Sequence, residues 1–210
     1  SGRVPTPEWK ADQWRNVPSE ALWLGGDYSN MIIGQGDVLV TPVQLACAYC
    51  AIATGRILRP HLIKKVNNGA GDVAFEAQAE VVAEPDVDAS HLEYVRRSLR
   101  DMLVSNDKLR ALYGSLGVDA AAKSGTAEHT DREDDAWFAA YAPYDEPRYV
   151  CVCVVEQGGS GSTVAGPIVG HVLAALQESD QNPEAEAGYI EGSSGKSRVV
   201  KFEGDAGRQD

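Results

Sequence analysis

Lys123-Ser124-Gly125-Thr126 is the stretch of this chain whose residue types and spacing could do chemistry. It follows three consecutive alanines and precedes a polar segment, after which an apolar run begins at Ala136. This pattern predicts an edge strand followed by a buried strand. An exposed strand edge can bind an extended peptide as an added strand, and Gly125 would let that peptide approach closely. The lysine and the hydroxyl groups beside it would hold a carboxylate.

The motifs before and after the lysine motif are needed to interpret it, because four such residues alone also occur in solvated loops. Taken in chain order, the motifs are Gly34-Gln35-Gly36, Thr41-Pro42-Val43-Gln44-Leu45-Ala46, the lysine motif, Ala136-Trp137-Phe138 and Ala142-Pro143-Tyr144. In this order and at these separations they resemble the transpeptidase domain of class B penicillin-binding proteins, from about Pro5 to about Leu176. Lys-Thr-Gly is one of three catalytic elements of the wider family, and Ser124 stands at its variable middle position.

The resemblance implies an α+β fold, an α/β sandwich in which an antiparallel sheet carries helices on both faces. It also implies the reaction of the family. A serine attacks the D-Ala-D-Ala bond of a peptidoglycan stem peptide, forms an acyl-enzyme and passes the acyl group to an amine of a neighbouring stem. β-Lactams would acylate the same serine.

The resemblance also assigns roles to the four residues of the motif. Lys123 would supply positive potential near the serine, and Ser124 and Thr126 would bind the substrate carboxylate. The backbone N–H of Thr126 would complete an oxyanion hole, and Gly125 would permit close approach of the substrate. The catalytic candidates are therefore Lys123 and Thr126, and the substrate-binding candidates are Ser124, Gly125 and Thr126.

The other two catalytic elements of the family are not recognisable in the sequence. Ser105-Asn106-Asp107-Lys108 spells Ser-x-x-Lys, but it follows a helix rather than opening a buried one. Tyr28-Ser29-Asn30 lacks the spacer of Ser-x-Asn. We therefore expect this chain to be the C-terminal portion of the domain and to be inactive alone. A serine β-lactamase or D,D-carboxypeptidase of the same fold, and a non-catalytic peptide-binding module, remain as alternatives.

Charge and hydropathy exclude several classes of function. The formal net charge of −12 argues against a nucleic-acid partner, which requires clustered lysine and arginine. The sequence contains no apolar run long enough to span a membrane and no export signal at its start. The resemblance places the parent protein on the extracytoplasmic face of the bacterial membrane, with its anchor elsewhere. Its implied partners are the stem peptide, β-lactams and the cell elongation or division machinery.

Neither a metal nor a cofactor is expected. Cys47/Cys50 and Cys151/Cys153 are spaced like zinc ligands, and His129 could face a cleft. However, the first cysteine pair lies in an apolar helical pattern and the second alternates with valines in a strand, which favours small buried apolar residues. For His129, a solvated loop is the simpler interpretation.

Several elements must position the lysine motif. Thr41, Pro42 and Gln44 predict a capped helix that runs to about Thr54 and is apolar on every side. Ser90 and Glu93 predict a second capping box. Further predictions are a hairpin of strands 136–141 and 149–155, both covered on two faces, and a last helix at 167–176.

The sequence predicts different structures for the two ends of the chain. Residues 1–33 combine prolines with tryptophans and predict an irregular segment. Residues 1–176 are assigned to the transpeptidase portion, and residues 177–210 to a flexible acidic tail rich in glycine and serine. Because the apolar helix and strands need cover that the chain has few helices to provide, we also expect self-association into a dimer.

Overall fold

The fold is described from a computed structural model that covers residues 2–68 and 70–181. Within the chain, residues 1–174 form one compact unit, which contains the lysine motif, and a second unit begins at Ala175. Most of the predicted acidic tail, from residue 182 onward, lies outside the described residues.

A three-stranded antiparallel sheet carries the lysine motif. Its strands are β5 (Ala121–Ala127), β6 (Asp135–Ala142) and β7 (Tyr149–Val155), in that spatial order. The bounds of β7 are those predicted, and β5 is an edge strand as expected.

Helices cover both faces of this sheet. Residues of α5 (Ala89–Ser105), α6 (Asp107–Ser115) and α7 (Gly166–Gln181) join alternate residues of all three strands in one apolar cluster. The opposite face packs against α4 (Pro42–Thr54), whose Tyr49 and Ala53 meet Ala121, Ala139 and Tyr141. The predicted α+β fold, an antiparallel sheet with helices on both faces, is therefore confirmed.

The two strands of the predicted hairpin differ in burial. Seven of the eight residues of β6 are buried, which agrees with the prediction of cover on two faces. Every residue of β7 is half-buried, and alternate residues pack against the apolar clusters on the two faces of the sheet, so β7 is also covered on both faces, as predicted. Its burial is lower than that of β6 because β7 lies at the edge of the sheet and has a neighbouring strand on one side only.

The α4 helix forms as its sequence predicts. The Thr41 hydroxyl accepts a hydrogen bond from the Gln44 backbone N–H, the Gln44 side chain reaches back to the Thr41 backbone N–H, and Pro42 occupies the first turn. Gly55 ends the helix with φ 76°, a left-handed conformation that suits glycine. Tyr49 and Ala53 are buried, most of the other apolar residues are half-buried and Val43 is exposed, so the chain covers α4 on one side and not all round as its composition predicts.

The start of α5 differs from the prediction. Asp88, not Ser90, is the N-cap, and its carboxylate accepts hydrogen bonds from the backbone N–H and the hydroxyl group of Ser90. A carboxylate is the stronger acceptor at the positive end of a helix, which explains why the helix begins earlier. Asn106 then caps α6 through the backbone N–H of Leu109.

The first 33 residues are not irregular, which corrects the prediction. They contain α1 (Pro7–Gln13), α2 (Pro18–Ala21) and α3 (Gly25–Ile32). Pro7 and Pro18 each lie in the first turn of a helix, and Thr6 caps α1 through the backbone N–H of Trp9. Lys10 bonds to Asp27 at 2.6 Å and so ties α1 to α3.

Two small antiparallel ribbons follow α4. One pairs β1 (Ile57–Leu58) with β4 (Val81–Ala83), and the other pairs β2 (Lys65–Asn67) with β3 (Val73–Glu76). After β7, a π-helical segment at Gly161–Ala165 leads into α7, which continues to Gln181, beyond its predicted end at Leu176.

Candidate active site

The lysine motif occupies the exposed half of β5. Ala121 and Ala122 are fully buried, whereas Lys123, Gly125 and Thr126 are exposed and Ser124 is half-buried. Among the described residues, no strand pairs with β5 on the side away from β6. The four residues predicted as the site therefore lie together along an open strand edge.

The side chains of the motif alternate between the two faces of the sheet. Ser124 lies opposite Phe138 in the register, and Thr126 lies opposite Ala136, so both hydroxyl groups stand on the face covered by α6 and α7. Lys123 lies opposite Ala139, on the face covered by α4. A peptide added to the edge would pass between the lysine on one side and the two hydroxyl groups on the other.

Two side chains reach the backbone oxygens of this edge. Lys123 Nζ donates to the carbonyl oxygen of Ser124 at 2.6 Å, and Gln35 Nε2 donates to that of Thr126 at 3.0 Å. Along an antiparallel strand the N–H and C=O of one residue point to the same side, and successive residues alternate. Ser124 and Thr126 are therefore the residues whose backbone groups point toward the open edge.

Gln35 is a site residue to which the sequence assigned no role. It lies in the Gly34-Gln35-Gly36 loop, where both glycines have positive φ, 76° and 67°. The backbone N–H of Gln35 donates to the carbonyl oxygen of Asn30 at the end of α3. These features hold the Gln35 amide against Thr126, a residue 91 positions away in the chain.

A charged cluster holds the base of the β5–β6 loop. The carboxylate of Asp135 accepts a hydrogen bond from each terminal nitrogen of Arg132 at 2.8 Å and one from the backbone N–H of Gln157 at 2.9 Å. His129 Nε2 also lies 2.8 Å from this carboxylate. The bond from Gln157, with His129 and Arg132 beside it, lowers the pKa of Asp135 to about 2 although burial opposes this shift. His129 is therefore a partner of Asp135 in this loop, rather than a solvated residue.

The Ser-x-x-Lys sequence at Ser105 does not have the geometry of a nucleophile. Ser105 is the last residue of α5, and its exposed hydroxyl donates to the carbonyl oxygen of Met102 at 3.0 Å. Lys108 lies in the first turn of α6. The residue pair thus spans a helix junction at the surface.

The cysteines do not form a metal site. All four are free and half-buried, and they lie on α4 and β7 as predicted. In the part of the chain that the structure describes, no group of three His, Cys, Asp or Glu side chains could hold a metal ion.

Within residues 2–68 and 70–181, no helix combines the length and the apolar character needed to cross a bilayer.

Comparison with known proteins identifies the family. Residues 3–174 match the family described as penicillin binding protein transpeptidase domain. The chain belongs to this family. The predicted family is therefore confirmed, and this domain of the penicillin-binding proteins accounts for most of the sequence.

Individual relatives support the same assignment. The chain is 28% identical to the peptidoglycan D,D-transpeptidase MrdA of Haemophilus influenzae, over 82% of this chain and 28% of that protein. Among solved structures it resembles Pseudomonas aeruginosa PBP2 in complex with WCK 5153, with 28% identity and TM-score 0.63, over 83% of this chain and 38% of that one. It also resembles the imipenem acyl-enzyme of penicillin-binding protein A from M. tuberculosis, with 26% identity and TM-score 0.60, over 77% of this chain and 35% of that one.

The chain spans less than a third of the length of the curated relative from H. influenzae. A match of this extent shows the family of the chain and does not by itself show the activity of a whole penicillin-binding protein.

Proposed function

We propose that this chain supplies the strand-edge part of a D,D-transpeptidase active site. In this proposal β5 binds the D-Ala-D-Ala end of a peptidoglycan stem peptide as an added strand. Lys123 contributes positive potential, Ser124 and Thr126 bind the terminal carboxylate, and Gly125 leaves room for the peptide. The observation that carries the proposal is the open edge of β5, at which the backbone groups of Ser124 and Thr126 point outward.

The reaction requires a serine from another part of the domain. The serine oxygen bonds to the carbonyl carbon of the D-Ala-D-Ala bond, the C–N bond breaks, and the terminal D-Ala leaves with the proton. An amine of a second stem peptide then displaces the serine and forms the cross-link. During both steps the Thr126 N–H stabilises the oxyanion, a contribution of about 3 kcal/mol for one such donor.

β-Lactams would enter by the same chemistry. The serine oxygen bonds to the lactam carbonyl carbon, the ring C–N bond opens, and the ring nitrogen takes the proton. The ring carboxylate would then occupy the position that Lys123, Ser124 and Thr126 offer to the peptide carboxylate. The solved imipenem acyl-enzyme of a relative supports this expectation.

A fluorescent penicillin tests the proposal directly. The 210-residue chain should show no covalent label after denaturation, because Ser105 is tied to a surface helix junction. The complete domain, including the segment that carries the serine, should be labelled in proportion to its concentration. A stoichiometric ester at Ser105, or a complete domain that stays unlabelled, would overturn the proposal.

The alternatives differ in the fate of the acyl-enzyme. A serine β-lactamase would hydrolyse the penicilloyl ester, so the fluorescent label would be lost, whereas a transpeptidase would keep the label. A D,D-carboxypeptidase would pass the peptidyl group of a D-Ala-D-Ala peptide to water rather than to an amine. A non-catalytic peptide-binding module would bind a D-Ala-D-Ala peptide reversibly and would carry no label at any time.

The substrate also indicates location and partners. Peptidoglycan is built outside the cytoplasm, so we propose an extracytoplasmic position and contact with the cell elongation or division machinery.

We also propose self-association, through apolar residues around the end of α3 rather than through α4 as a whole. Ile32 and Ile33 are 80% and 71% exposed, and Val43 at the start of α4 is 59% exposed. Large apolar side chains on the surface favour a second copy as cover.

A further inference from the structure

Gly161, the first residue of the π-helical segment, lies directly against the strand pair that carries the lysine motif. It is buried, and a Cβ atom at this position would overlap the carbonyl oxygens of Gly125 and Trp137 and would lie 3.0 Å from the Gly125 nitrogen. Gly125 and Trp137 are direct partners in the β5–β6 register. Only glycine allows backbone to approach backbone this closely.

The contact comes from one definite side of the sheet. Ala165, at the other end of the π-helical segment, belongs to the same apolar cluster as Phe138 and Ala136, so the segment covers the face on which Ser124 and Thr126 stand. The missing side chain of Gly125 points to the other face, toward Cβ of Trp137 at 3.3 Å. Gly161 therefore contacts the Gly125 backbone from the face of the sheet on which Ser124 and Thr126 stand, and the edge of β5 away from β6 stays open.

The turn at residues 157–161, which ends on Gly161, is fastened to the start of β6. The backbone N–H of Gln157 donates to the Asp135 carboxylate at 2.9 Å, and that of Gly159 donates to the carbonyl oxygen of Asp134 at 2.8 Å. Gln157 and Gly159 both have positive φ, 54° and 70°. Gln157 has a side chain, so this conformation is unfavourable for it and needs support from its surroundings.

Asp135 is itself held in place from the opposite loop. Arg132 binds both of its oxygens, and His129 lies beside it, so its orientation is fixed by residues that follow the lysine motif by a few positions. A continuous chain of contacts thus leads from the β5–β6 loop through Asp135 to the 157–161 turn and from there to Gly125.

We propose that Asp135 and Gly161 are positioning residues for the transpeptidase site. Asp135 fixes the 157–161 turn, the turn places Gly161 against Gly125, and this contact sets where the Thr126 N–H points. The inference rests on the proposed function, because it explains how that function's strand edge is held rigid. A misplacement of about 1 Å at a catalytic donor costs roughly a hundredfold in rate.

The decisive variant is Gly161→Ala in the complete domain. Gly114→Ala adds the same methyl group where nothing lies within 4 Å. Gly170→Ala adds it 2.9 Å from Tyr113 Cε2, where it strains the contact between α7 and α6 and its nearest neighbours are not strand residues. The first control measures the effect of the substitution itself, and the second measures the effect of lost stability alone.

Acylation by a fluorescent penicillin separates geometry from folding. The amplitude of labelling reports the folded fraction, and the rate constant at saturating penicillin reports the geometry of the site. We expect Gly161→Ala to lower the rate constant by about tenfold to a hundredfold. Gly114→Ala should change neither quantity, and Gly170→Ala should lower only the amplitude. An unchanged rate constant in Gly161→Ala would overturn the inference.

Asp135→Asn provides a second test that adds no non-hydrogen atom. The amide keeps the shape of the carboxylate but weakens the bonds to Arg132 and Gln157, so we expect the rate constant to fall less than in Gly161→Ala. Asp135→Glu should not restore the wild-type rate constant, because its extra methylene group displaces the turn. A wild-type rate constant in Asp135→Asn would remove Asp135 from the positioning role. This variant also decides the question if Gly161→Ala does not fold.

Amide hydrogen exchange keeps the inference separate from the proposed function. Peptides that cover residues 123–127 should exchange faster in Gly161→Ala and Asp135→Asn than in wild type and in Gly114→Ala. If the wild-type domain is not labelled by penicillin but this pattern of exchange is found, the proposed function fails and the positioning contact stands. If labelling occurs and exchange at residues 123–127 is unchanged in both variants, the inference fails.

Discussion

At the scale of single residues, the site combines side chains that no local pattern connects. The lysine motif is readable from sequence because its residue types and its neighbours are distinctive. Gln35 is not, because its bond to Thr126 joins positions 91 residues apart and depends on two left-handed glycines. The bond of Asp135 to the backbone of Gln157 is equally invisible, since any acidic loop residue looks solvated in a sequence.

The Gln35 bond should contribute to stability. Replacing Gln35 with alanine removes the donor to the Thr126 carbonyl oxygen, and we expect the free energy of unfolding to fall by about 0.5–1 kcal/mol, the lower part of the usual range because the bond is exposed. Urea denaturation measures this change. Gln13→Ala, at the exposed end of α1, is the control and should have no effect; an equal effect of both substitutions would contradict the account.

The Asp135 carboxylate should give stability a defined pH dependence. Its pKa is about 2 in the folded state, below the value of about 3.9 for an unfolded aspartate. The carboxylate therefore stabilises the fold fully above about pH 4, and this contribution is lost as the pH falls toward 2.

The pH dependence can be measured on a pair of proteins. Wild type should be more stable than Asp135→Asn above about pH 4, and the difference in free energy of unfolding should shrink steadily down to about pH 2. Chemical denaturation at a series of pH values gives this difference. A difference that stays constant over this range would show that the charge of Asp135 does not stabilise the fold.

At the scale of elements, the predictions succeeded where the signal is local. Thr41, Pro42, Gln44 and Gly55 lie within one short stretch and set both ends of α4. The prediction for residues 1–33 was wrong because the prolines were interpreted as marks of irregular structure, although proline equally begins a helix. The cover of β6 and β7 on two faces was predicted from their apolar residues, but the lower burial of β7 was not, because it depends on where a strand lies in the sheet.

The N-cap of α4 should be worth a measurable amount of stability. Thr41→Ala removes the acceptor for the Gln44 N–H and disrupts the capping box, so we expect a loss of about 1 kcal/mol and a fall in Tm of roughly 2–4 °C. Thr41→Ser keeps the hydroxyl group and should lose only a small part of this. Differential scanning calorimetry on both variants tests the prediction, and equal Tm values for Ala and Ser would contradict it.

At the scale of the whole molecule, several large apolar side chains are exposed on the surface. Ile32 and Ile33, which directly precede the loop that contains Gln35, are exposed, and so is Val43 at the start of α4. Leaving such side chains in water forfeits roughly 1.5–3 kcal/mol each, which is large beside the stability of a single domain. This part of the surface is therefore where we expect association.

Light scattering at micromolar concentration tests self-association. We expect a mass near twice 22.5 kDa for the 210-residue chain. Ile33→Lys should shift the mass toward that of one copy, because a charge in an apolar contact is costly. Val4→Lys, at another exposed apolar position, is the control. A monomeric wild type with a cooperative melt would refute the prediction.

The central claim, that β5 supplies the oxyanion donor of a transpeptidase, is tested most directly by Thr126→Pro in the complete domain. Proline removes the Thr126 N–H, and a strand edge tolerates proline where the N–H points away from the sheet. Thr126→Ala keeps the N–H and is the matched control. We predict that the rate constant for acylation by penicillin falls by about 10² to 10³ in Thr126→Pro and far less in Thr126→Ala, at equal Tm. Equal rate constants in the two variants would contradict the account.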